Sequence, residues 1–261
     1  MSYNVQVGSG GYWGWKILER TMVRQRSAFL QAHSMKVSRD YFRETIHNIK
    51  SAEDLVNDRK LFSIVLRAFG LDSDISNRFF IKKVLESDPA DKASLVNKLA
   101  DKRYADLNRG LALYASSQEK SVAVDTAEII DRYESRSFEK NIGERHAEIE
   151  LALNAQREVL NIAISDASEN AKWYRILASK PLRQVFEGAY GLGAGFASLS
   201  IDRQLSELKD KTKKLTGDSS VSQFELRDKL EVVIRRFLLR GHLGVSSASS
   251  RYVNALALLR A

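Results

Sequence analysis

One local pattern occurs three times along the chain. SAEDLVNDRKLFSIVLRAFGL (Ser51–Leu71) recurs as AKWYRILASKPLRQVFEGAYGL (Ala171–Leu192), and a weaker version, LVNKLADKRYADLNRGLAL, lies between them at Leu95–Leu113. In each, a short apolar segment of helical period is followed by a polar residue able to cap a helix: Asp58, Asp101 and Ser179. A second amphipathic segment follows. Its apolar stripe is Leu61, Ile64, Val65, Ala68 and Phe69 in the first copy, and Leu182, Val185, Phe186, Ala189 and Tyr190 in the last. Both outer copies end at Gly-Leu, where Gly70 and Gly191 can take the left-handed conformation that closes a helix. Breakers elsewhere are few. The chain has two prolines, Pro89 and Pro181, and the second falls in a first helical turn where a missing N–H costs little. The expected fold is all-α, a helical bundle of about ten helices built on an internal helix-turn-helix repeat.

The pattern divides the chain into four stretches. Residues 1–35 read as a flexible lead with Gly8, Gly10 and Gly11, then a basic amphipathic helix from Tyr12 to His33. On that helix Trp15, Leu18, Met22 and Phe29 share one side, while Lys16, Arg20, Arg24 and Arg26 lie mostly elsewhere. Residues 36–120 form the first repeat-bearing half, with added helices at Ser38–Ile49 and Asp72–Glu86, the latter packing through Ile75, Phe79, Val84 and Leu85. Residues 121–168 read as two long central helices, one through Ile129, Tyr133 and Phe138, the other through Ile149, Leu153, Val159 and Ile164. Residues 169–261 hold the second repeat-bearing half: a surface helix at Ser200–Leu215, a helix at Val221–Arg240 and a tail helix at Arg251–Leu259.

Composition removes several chemistries. There is no cysteine, which excludes disulfides, thiolate zinc sites and thiol nucleophiles. No run approaches the eighteen apolar residues of a membrane span, and MSYNVQVGSGG lacks the basic and apolar regions of a secretory signal. The expected location is cytoplasmic. The net charge is +8, and residues 1–50 carry eight Lys/Arg against three Asp/Glu. A basic end on a nearly balanced body points to a local acidic partner rather than a whole-protein nucleic-acid surface.

No chemical motif survives inspection. The four histidines (His33, His47, His146, His242) are scattered, and His146 with Glu148 and Glu150 lacks the second His of a zinc helix. GLGAGF at 191–196 follows a helix rather than a strand, so it stops a helix instead of cradling a dinucleotide. GSGG at 8–11 lacks the Lys-Ser/Thr of a phosphate-binding loop. Asp202 and Arg203 suit an interhelical ion pair, and the basic runs at 209–214 and 235–240 sit among acids as solvated helix faces. No catalytic, cofactor-binding or metal-ligating residue is therefore assigned, and the chain is expected not to be an enzyme.

YFRETIHNIKSAEDLVNDRKLFSIVLRAFGL, FFIKKVLESD, LVNKLADKRY, WYRILASKPLRQVFEGAYGL and LSIDRQL, in this order, resemble a bacterial family built around a domain of unknown function. The resemblance runs from about Arg39 to Leu243. It implies a mostly helical fold with internal repetition and, because such proteins are commonly encoded among flagellar genes, a flagellum-associated role. It carries no functional residue over. The expectation is thus a structural or protein-interaction protein whose partners are flagellar components. Trp13, Trp15, Lys16, Arg20 and Arg24 of the N-terminal helix are its candidate interaction residues. The competing expectation is nucleic-acid or anionic-membrane binding through the same basic segment, with peripheral membrane contact favoured over nucleic acid.

Overall fold

Caps, apolar stripes and glycine stops set where the helices begin and end. Ser51 and Asp58 each place a side-chain oxygen on a free backbone N–H, of Asp54 at 3.1 Å and of Leu61 at 2.9 Å, so one short helix ends as the next starts. Gly70 then takes φ 70°, and the N–H of Leu71 closes on the carbonyl of Leu66 at 2.8 Å. The computed structural model describes residues 3–114 and 124–241; among these it has thirteen α-helices and no strand. The fold is therefore all-α, as expected, with more helices than the ten anticipated. The excess comes from single-turn and two-turn helices that a periodicity of 3.6 does not resolve.

The helices are α1 (Gly11–Gln31), α2 (His33–Thr45), α3 (Ala52–Asn57), α4 (Arg59–Ala68), α5 (Arg78–Glu86), α6 (Leu95–Lys98), α7 (Arg103–Leu111), α8 (Thr126–Gly143), α9 (Ala147–Ala163), α10 (Glu169–Ala178), α11 (Lys180–Tyr190), α12 (Ile201–Thr216) and α13 (227–241). They belong to two compact units. One comprises Met1–Val5 with Met22–Asn141, the other Gln6–Thr21 with Ile142–Ala261.

In the first unit Phe42, Leu55, Leu61, Phe62, Leu66 and Ile81 are fully buried, which places α2 to α5 around a common core. A smaller apolar cluster of Val84, Val96 and Ala105 joins α5, α6 and α7, with Phe80 and Tyr104 edge to face at 5.2 Å. Two arginines meet the carbonyl end of α4: Arg136 Nε donates to Ala68 O at 3.1 Å, and the Arg103 guanidinium donates to Gly70 O. Cations there satisfy carbonyls without an intrahelical partner and oppose the negative end of the helix dipole.

In the second unit Phe186 is the centre of an aromatic group. Trp173 stands edge-on to it at 5.6 Å, and Phe224 and Tyr190 at 5.8 Å each. α11 closes on Gly191 at φ 66°, where a Cβ would run into the Arg240 guanidinium of α13. A helix, a left-handed glycine and an arginine from a distant helix thus recur at Gly70 and Gly191. At the middle stretch the stop differs, with Ala112 in the left-handed region at φ 50°.

Several expectations are corrected. The lead before α1 is not a loose tether: Val5 and Val7 are buried, Val5 N donates to Asn141 Oδ1 at 2.9 Å and Gly11 N to Glu148 Oε1 at 2.9 Å. Asp72–Glu86 is not one helix; a 3₁₀ turn at Asp72–Asp74 precedes α5, because Asp72 is engaged by Arg67 at 2.6 Å and Asp74 by Tyr104 at 3.0 Å. Phe79 and Ile164, read as core positions, are exposed. Ser179 precedes α11 with extended backbone but makes no side-chain cap, whereas Asp101 accepts the N–H of Arg103, the first residue of α7, at 3.0 Å and also pairs with the Arg103 guanidinium. The tail helix expected at Arg251–Leu259 lies outside the described residues, as do His242 and residues 121–123 of the expected central stretch, whose first helix is α8.

Candidate functional site

The first half of α1 has two faces with different fates. Trp15 and Leu18 point into the second unit and are buried. A buried indole N–H needs an acceptor, and Trp15 Nε1 donates to both carboxylate oxygens of Glu231 on α13, at 3.1 and 3.3 Å. Lys16 Nζ reaches the same carboxylate at 3.3 Å and Glu19 at 2.7 Å. These two acids, Glu19 first, hold the Lys16 ammonium well above the usual lysine range. One turn back, the Tyr12 ring lies between Lys16 at 5.4 Å and Arg235 at 5.5 Å. Tyr12 meets Arg235 while Trp15 and Lys16 meet Glu231, so α1 and α13 run antiparallel along this seam.

The opposite face is bare. Trp13 is 76% exposed and Ile17 43%. Arg20 and Arg24 are exposed and make no ion pair among the described residues. Positions 13, 17, 20 and 24 recur at the spacing of one helical face. The five sequence-selected residues therefore divide by role. Trp15 is core and Lys16 is paired along the seam, whereas Trp13, Arg20 and Arg24 face outward. Sequence reasoning missed Glu231, Tyr12, Arg235 and Ile17. The one available signal was Trp15 itself, whose N–H demands an acceptor without saying which of many acids supplies it.

A second polar group sits deeper in the second unit. The buried ammonium of Lys172 donates to Ala163 O and Ser222 Oγ, both at 2.6 Å, and lies 3.7 Å from Glu169. Ser222 donates in turn to Glu169, which also accepts the N–H of Val221. Burial pushes the Glu169 carboxyl upward, but the Ser222 and Val221 donors with Lys172 outweigh it and hold it below its ordinary value. A serine beside a lysine resembles a nucleophile with its base. Here the lysine nitrogen is shared between the Ala163 carbonyl and the Ser222 hydroxyl, and that hydroxyl is itself engaged by Glu169, so the three side chains tie backbone segments together. A cavity lined by Gln156, Phe224, Arg227 and Glu231 has about 20 Å³, room for one water. The group joins α9, α10 and the turn at Ser222–Glu225.

Among the described residues no three His, Asp or Glu side chains are grouped to hold a metal ion. No helix there is long and apolar enough to cross a membrane. Fold and surface thus define an all-α protein whose most distinctive exposed feature is one helix face carrying an aromatic, an aliphatic and two arginines.

Residues 68–230 match a family described as protein of unknown function DUF1217, and this chain belongs to that family. An X-ray crystal structure of the protein AGR_C_984 from Agrobacterium tumefaciens is similar, with a TM-score of 0.71 and 22% identity over 92% of this chain and 98% of that one. The likeness is one of fold. No curated protein matches the chain.

Proposed function

We propose that this is a non-enzymatic structural or protein-interaction protein of the bacterial flagellar system, acting in the cytoplasm and engaging protein partners through the outward face of α1. The observation that carries the interaction reading is Trp13, a large aromatic left 76% exposed on a helix whose other face is fixed in a core. Exposed tryptophan beside arginine is the composition of protein-binding hot spots. The flagellar context rests on the family resemblance of the motif series. We also read the two helix pairs α3–α4 and α10–α11 as copies of one unit. Gly70 and Gly191 have the same left-handed backbone and each is covered by an arginine, which supports that reading. Deleting the gene tests the flagellar assignment: impaired swimming or defective flagella is expected, and normal motility with intact flagella removes it.

A second reading has its own support. Arg20 and Arg24 are cations without a carboxylate partner among the described residues, as a segment lying on an anionic membrane or nucleic acid requires. Such binding weakens steeply with salt, and binding unaffected by salt between 50 and 200 mM (values taken as roughly the diagnostic range) excludes it.

A further inference from the structure

We draw no further inference here: the strongest candidate, the surface around α10 in the second compact unit where Ile164, Tyr174 and Ile201 are exposed, carries nothing because nothing in the structure shows what covers it.

Discussion

Asn108 is fully buried on α7, yet its amide serves α5. Nδ2 donates to the carbonyls of Val84 at 2.8 Å, Ser87 at 2.9 Å and Leu85 at 3.3 Å, where α5 runs out of its own donors. Asn108→Ala leaves those carbonyls short of a partner in a dry setting and should cost about 1–3 kcal/mol. Urea unfolding checks this: the midpoint should fall at an unchanged slope, and an unmoved midpoint would contradict the assigned role. Asp58 and Gly70 were legible in the sequence because their work is local, done within three to five residues. Asn108 was not, since its acceptors lie 21 to 24 residues away and nothing in its neighbours names them. The same holds for Glu231, which is 216 residues from Trp15. On the apolar side of its helix, Trp15 suits either the chain's own core or a partner, and its place in the core goes with an acceptor, Glu231, that the sequence does not assign.

At the scale of elements, polar seams decide where helices stop. The apolar pattern from Val221 onward reads as one helix, but residues Ser222–Glu225 form a 3₁₀ turn and α13 starts after it. The reason is Glu169, which takes the Val221 N–H and the Ser222 hydroxyl and fixes the chain before the helix begins. Its carboxyl titrates below the ordinary value of 4.5 in the folded protein. On acidification the unfolded chain therefore binds this proton first, so the stabilisation is present above the unfolded value and is lost as pH falls through the folded one. Glu169→Gln should lower stability at neutral pH and flatten its decline below pH 4.5. Thermal unfolding followed from pH 7 to 3 (roughly the carboxylate range) tests it, and parallel acid limbs for variant and parent would refute it. The α1–α13 seam gives a companion expectation. Trp15→Phe keeps most of the buried ring but removes the donor to Glu231, costing about 1–2 kcal/mol. The cost should shrink in a Glu231→Ala background, which lacks the acceptor, if the hydrogen bond is its source.

At the scale of the whole molecule, reading along the chain yields consecutive stretches, whereas each compact unit gathers residues far apart in sequence. The periodicity of α1 says that it has an apolar side; it does not say which body that side enters. Val7, Trp15 and Leu18, all buried, belong with residues after 142 rather than with their sequence neighbours after 22. Burying side chains of this size is worth about 1.5–3 kcal/mol each, so the three together supply roughly 5–9 kcal/mol. That is comparable to the entire stability of an ordinary domain, about 5–15 kcal/mol. Residues 142–241 produced alone should consequently fail to unfold cooperatively, and adding a peptide of residues 6–21 should restore a transition that depends on peptide concentration. A sharp unfolding transition of 142–241 by itself would show that the segment contributes little to the core. The expectation also governs how the N-terminal helix is to be probed. Truncation removes Trp15 and Leu18 along with Trp13, so any lost function is confounded with lost structure, whereas Trp13→Ala and Arg20→Glu alter the exposed face and leave the buried one in place.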